Sequence, residues 1–280
     1  MAQKIKITTD STCDIPASLR ELYNIDVLPL NIHMGDGVYK DGLEITPKDI
    51  VKHVDNGGAL CSTSAVNVFD YEETFKKFLK DYDAVIHVNI GDKFSSCHQN
   101  ARIAIEDLEN VYVINSESLA IGQGMVAIWA AELSKTMDAV ECVKVLEERK
   151  NKIDGSFVLE KLDYMNKGGR CSSVTAFGAN LLKLKPCIEL IDGELKVGKK
   201  YRGSMKKCLE QYINDRLSDV SRIKGDKCYL IYSGEEWSLD FCKQLIEEKG
   251  IFDKIVTMYV GCTIMCHCGP GTVGIFFETV

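Results

Sequence analysis

The sequence predicts an α/β protein of two α/β domains, the first on a mostly parallel, Rossmann-like sheet and the second on a mixed sheet. Through the first half, short near-continuous apolar runs alternate with amphipathic helical patterns, the reading of strands buried on both faces of a parallel sheet. In the second half, Asp192-Gly193 separates two strand-like runs, the turn chemistry of an antiparallel hairpin. Between the halves, the charged segment Glu147 to Gly155 ends in Asp154-Gly155. This pair reads as a turn and sets the domain boundary, dividing 1–153 from 154–280.

In the first half, strands are expected at 4–9, 25–34, 84–90 and 111–114. Helices are expected at 47–54, 69–80, 95–108, 119–134 and 139–150. The N-terminal segment has no apolar signal region and reads as the first strand of a cytosolic domain. The most apolar run, Met125 to Ala131, is far shorter than the roughly 20 residues of a membrane helix and suits a buried helix. Beyond the boundary, strands are expected at 157–160, 187–191, 194–199, 228–232 and 255–259, with helices at 204–217 and 239–248. A strand-like run over 274–280 follows them.

With 280 residues, 45% hydrophobic and 27% charged, the chain can bury a substantial core. A net charge of -7 opposes a duplex nucleic-acid partner, which would need a basic footprint. Twelve cysteines without a CxxC pair or a secretion signal are expected to be reduced thiols.

The segment Cys262-Thr-Ile-Met-Cys-His-Cys-Gly-Pro-Gly271 gathers three cysteines and a histidine. Ligands this closely spaced would strain a tetrahedral shell, so the cysteines are expected to line a packed turn and to hold no metal. Gly269 to Gly274 also satisfies GxGxxG, yet it leads into a strand-like run where a dinucleotide loop must open a helix. No Walker A sequence occurs.

Three segments suit an anion. Cys61 to Ser64 precedes a helical pattern, and Phe94-Ser-Ser96 joins an expected strand to an expected helix. The hydroxyls of Ser64, Ser95 and Ser96 therefore read either as anion donors or as plain helix caps. Lys167-Gly-Gly-Arg170 sets a guanidinium on a glycine turn, able to fork onto a carboxylate or to lie solvated.

These segments line up with a known family. Thr9 to Ile15, Thr63-Ser64, Phe94-Ser95 with Gln99-Asn-Ala101, Asn115-Ser116 with Gly122-Gln-Gly124, Leu162 to Arg170, Leu184-Lys-Pro186 with Asp192-Gly193 and Arg202-Gly203, and His267 to Gly271 run in register over residues 9–271. The chain resembles the DegV family, fatty-acid-binding proteins that serve bacterial fatty acid kinases. The resemblance implies that a long-chain fatty acid such as palmitate lies in a buried tunnel, its carboxylate held by Thr63 and Ser95. Ser64, Ser96, Arg170 and His267 form a supporting shell, with Arg170 and His267 as its cationic part. It also implies a cytoplasmic protein with no catalytic residue and no cofactor. Its partner would be a fatty acid kinase subunit that makes acyl phosphate for phospholipid synthesis, and it would touch membrane surfaces transiently.

The chain departs from the family pattern at Thr63-Ser-Ala-Val-Asn67, where Thr-Ser-x-Pro-Ser is usual, and at Gly91 to Ser96, leaving those loop shapes and the acyl preference open. Two further readings stand beside this one: an α/β small-molecule transferase or kinase using the same serine loops for phosphate, and a zinc or redox protein built on the cysteine-rich segment.

Overall fold

The computed structural model describes residues 3–177 and 184–280. The chain begins with β1 (Ile5–Asp10), α1 (Ala17–Tyr23), β2 (Ile25–Leu28), β3 (Asn31–Met34), β4 (Gly37–Lys40), α2 (Pro47–Asp55) and β5 (Ser62–Ser64). It continues with α3 (Val68–Phe78), β6 (Ala84–Asn89), α4 (Cys97–Ala104), β7 (Val111–Asn115), α5 (Ala120–Leu133) and α6 (Ala139–Arg149). Four of these strands form an all-parallel sheet in the order β2-β1-β6-β7. Every residue of β6 is buried, as its near-continuous apolar run predicts for a central strand covered on both faces.

Residues 25–34 are two strands, not one. Pro29 has no N–H for a ladder, and the chain leaves the parallel sheet there. It re-enters as β3, the middle strand of a small antiparallel sheet ordered β4-β3-β5. β4 and β5 escape periodicity arguments because runs of three or four residues barely establish a period. The helix expected at 69–80 is present as α3. Residues 62–64 are strand, and α3 opens at Val68 with the Asn67 side chain accepting from the Asp70 N–H at 2.8 Å.

The second half comprises β8 (Ile153–Val158), α7 (Asp163–Gly168), α8 (Ser172–Phe177), β9 (Lys185–Ile191), β10 (Glu194–Tyr201), α9 (Met205–Arg216), β11 (Ile223–Tyr232), α10 (Glu236–Lys249), β12 (Lys254–Tyr259), α11 (Cys262–Cys268) and β13 (Val273–Thr279). Its six strands form one mixed sheet, β10-β9-β8-β13-β11-β12, in which only β11 and β12 pair in parallel. Asp192 and Gly193 both have positive φ, 54° and 72°, the conformation that a two-residue hairpin turn between β9 and β10 requires.

Asp154 and Gly155 are not a turn. They sit inside β8, opposite Phe277 and Phe276 of β13. A Cβ on Gly155 would come within 2.4 Å of the Phe276 ring, and one on Gly122 within 3.0 Å of it. Both glycines thus leave room for that aromatic side chain.

α5 joins the two sheets. It touches β1, β2 and β6 on one side and β8 and β13 on the other, so Ala120 through Ala131 are buried all round the helix. Its one buried polar residue, Gln123, is satisfied by Thr12, Thr9 and the Val88 carbonyl. One apolar core runs from the parallel sheet across α5 to the facing side of the mixed sheet. A second core lies under α9 and α10 on the mixed sheet's other side. No helix among the described residues is long and apolar enough to cross a membrane.

Candidate functional site

β6 ends just before the loop that carries Ser95 and Ser96, as expected of an open parallel sheet. Thr63 lies in β5, registered against Ile32 of β3. Its Oγ1 meets His267 Nε2 at 3.0 Å, across 204 residues of sequence. Adjacent strand residues alternate faces, and Ser64 correspondingly bonds His33 Nε2 at 2.9 Å.

His267 is delivered by α11, so the cysteine-rich segment is a buried helix where the sequence suggested a turn. Two buried carboxylates from the first half anchor that helix. Asp14 Oδ1 accepts from the Gly261 N–H at 2.9 Å. Asp41 accepts from the N–H groups of Cys262 at 3.1 Å and Thr263 at 3.2 Å, and from the hydroxyls of Thr263 at 2.7 Å and Ser11 at 2.8 Å. Acceptors at a helix N-terminus satisfy donors that have no intrahelical partner. Burial, with Asp41 close by, pushes the Asp14 carboxyl well above the usual carboxylate range.

Burial and the nearby Arg170 guanidinium push the His267 imidazole down to about 4, so it is neutral at pH 7 and its expected cationic role does not hold. Its Nδ1 is buried without a hydrogen-bond partner. Gly168 packs directly on that atom, and a Cβ there would lie 2.3 Å from it.

Arg170 is exposed and ties two segments together. Its Nε donates to the Phe94 carbonyl at 3.1 Å and its Nη1 to the Gly168 carbonyl at 2.6 Å. Gly169, at φ 66°, makes the left-handed turn that ends α7 and turns the chain toward this position. Ser95 precedes α4. Its Oγ accepts from the Cys97 N–H at 3.3 Å and donates to Cys97 Sγ at 3.2 Å. Ser96 sits at the N-cap of α4, but its side chain caps nothing.

All six expected residues line one cavity of about 270 Å³. Its wall is otherwise chiefly apolar, with Leu30, Ile90, Leu119, Phe157, Met165, Leu195, Ile231, Ile264 and Phe276 among the residues. Among the described lining residues Arg170 is the one charged group, with no Asp, Glu or Lys beside it. The site can therefore offer hydroxyls, a neutral imidazole and one positive charge beside an apolar space.

The twelve cysteines are buried and free, and burial raises the thiols of Cys97 and Cys268 to about 12. Cys262 Sγ donates to the Ile45 carbonyl and Cys268 Sγ to that of Gly269, so the two turn to different neighbours. Among the described residues no three His, Cys, Asp or Glu side chains gather to hold an ion. Sequence reasoning missed Asp14, Asp41 and Gly168 as supports. Asp14 and Gly168 fall within the segments that carry the resemblance, but no local pattern announces what they hold.

Comparison with known proteins places this architecture. Residues 4–280 match the family model described as uncharacterised protein, DegV family. A DegV domain-containing protein of Caldanaerobacter subterraneus subsp. tengcongensis is 33% identical over 279 residues, covering 99% of each chain. A fatty acid-binding protein of Thermotoga maritima is 32% identical over 288 residues, covering 99% of this chain and 98% of the relative. The structure described as fatty acid binding of a DegV family protein from Thermus thermophilus superposes with a TM-score of 0.92. It is 28% identical, and the match covers 99% of this chain and 100% of that one.

Proposed function

The chain belongs to the DegV family, and from that premise we propose that it binds a long-chain fatty acid, tail in the apolar cavity and carboxylate at Thr63 and Ser95, and presents it to a kinase. The observation that carries the reading is the cavity wall, whose described residues offer a single cation, no anion and several hydroxyls beside apolar side chains. That set suits a monoanionic headgroup on a hydrocarbon tail. Burying each methylene contributes about 0.8 kcal/mol before association costs, so the tail supplies affinity. The hydroxyls and Arg170 offset the cost of removing a carboxylate from water.

Ser64 and Ser96 flank the two contact hydroxyls, and neutral His267 sets the direction of one of them. For Thr63 to donate outward, His267 must donate from Nε2 to Thr63 Oγ1. That tautomer leaves Nδ1 as an unprotonated acceptor against Gly168. Because Arg170 and Ser96 are exposed, the headgroup end lies near solvent, where a kinase subunit would take the carboxylate and a membrane surface could briefly load the site.

A small-molecule transferase or kinase centred on this cavity is disfavoured because no carboxylate stands among the described lining residues to act as base or to hold magnesium. Solvent extraction of purified protein with mass spectrometry is the first test. Stoichiometric long-chain fatty acid is expected, and its absence together with failure to bind added palmitate or oleate would overturn the binding reading. Acyl phosphate formation on adding kinase and ATP tests the presenting role separately, and binding without any phosphorylation would remove only that part.

A further inference from the structure

Beneath Ser95 lies a buried polar cluster whose side chains are not among those lining the cavity. Asp10, at the end of β1, is fully buried and accepts from Tyr71 Oη at 2.5 Å, from Asn89 Nδ2 at 3.0 Å and from the Ile90 N–H at 3.0 Å. His87 Nε2 lies 3.2 Å from its Oδ1, and His87 Nδ1 meets Thr8 Oγ1 at 2.8 Å. Tyr71 thus spends its hydroxyl proton on Asp10 and keeps its oxygen as an acceptor. That oxygen faces Asn89 Nδ2 at 3.0 Å. Cys97 is fully buried, and Ser95 Oγ donates to its sulfur at 3.2 Å. Tyr71 gives its proton to Asp10, while the Ser95 proton rests on sulfur.

We infer that Cys97 is a positioning residue that holds the Ser95 hydroxyl proton on a deliberately weak acceptor, ready to be given up to a ligand carboxylate. This rests on the reading that Ser95 binds the carboxylate. Sulfur accepts hydrogen bonds poorly, so releasing Ser95 from it costs less than releasing it from an oxygen. The Ser95 oxygen keeps the Cys97 N–H throughout, so only the proton swings. The small side chain at 97 must be buried, polar enough to orient Ser95 and too weak to retain it.

The test compares affinities of the full chain for oleate and for oleyl alcohol, because their ratio reports the headgroup and cancels changes in tail binding or stability. Cys97→Ser supplies a stronger acceptor and is expected to lower the ratio about threefold to fivefold, the worth of part of one neutral hydrogen bond. Cys97→Ala removes the competitor and is expected to leave the ratio unchanged or raise it. Ser95→Ala should lower the ratio, and Cys97→Ser on that background should lower it no further. If Ser95→Ala lowers the ratio while Cys97→Ser matches wild type, the inference fails and the headgroup assignment stands. If Ser95→Ala leaves the ratio untouched, both fail. Should Cys97→Ala not fold, the near-isosteric Cys97→Ser decides alone.

Discussion

The two hydroxyls at the head of the cavity are held in opposite ways. Thr63 answers to His267, 204 residues distant, on a helix docked by carboxylates from the other half of the chain. Ser95 answers to Cys97, two residues away at the start of its own helix. The remote arrangement depends on tertiary docking and on pH, whereas the local one should persist whenever α4 forms. Perturbing the α11 dock should therefore separate them.

The largest effect is expected from Asp41→Ala, which strands two helix N–H groups and two hydroxyls around a buried space. Several buried groups losing partners should cost about 3 kcal/mol or more, read by urea denaturation. A loss under about 1 kcal/mol would show that Asp41 does not hold the helix.

Next is the pH dependence of stability. Unfolded, His267 takes a proton near its ordinary 6.5, while folded it resists until about 4. The contribution is therefore absent above pH 6.5, and stability is lost as pH falls from 6.5 toward 4. The full interval amounts to about 3 kcal/mol at 1.36 kcal/mol per pH unit. His267→Gln should flatten that part of the profile. Bound fatty acid should also reduce the loss, because a carboxylate nearby favours the imidazolium. Identical stability profiles for wild type and His267→Gln over this range would remove His267 as the source.

Gly168→Ala should cost about 1–3 kcal/mol by driving a methyl group into the imidazole. It should also disturb the His267 ring resonances in an NMR spectrum while leaving those of Ser95 and Cys97 in place. Equal disturbance of both regions would mean that the two hydroxyls are not independent.

The smallest effects belong to the hydroxyls themselves. Thr63→Val should weaken oleate binding by about 1 kcal/mol, roughly fivefold, and Ser95→Ala by no more than that. The double variant should still carry fatty acid, since tail burial outweighs both losses, yet serve a kinase poorly. Unimpaired phosphorylation by the double variant would take both residues out of the headgroup site.

Much of this architecture was legible in the sequence. Runs rich in apolar and β-branched residues mark β1 and β6, and Asp192-Gly193 marks the hairpin, because both signals are local. Ser95 and Thr63 were legible as residue types in particular segments, and the cavity they share is the structure's addition. The β3 to β5 sheet was not legible, since strands of three or four residues carry almost no pattern. Nor were Asp41 and Asp14, whose partners lie 221 and 247 residues away. Asp154-Gly155 misled for a related reason: the pair is a good turn dipeptide, and only the aromatic ring of a strand more than a hundred residues later explains a glycine there.

That ring has a consequence for how the sequence can drift. Phe276 stands where an alanine side chain at 155 would go, so the two positions constrain one another. A lineage reaching alanine at 155 would first pass through a smaller residue at 276, and a lineage holding phenylalanine there is confined to glycine at 155. Among relatives the two sites should change together or not at all, a correlation that neither position would reveal alone.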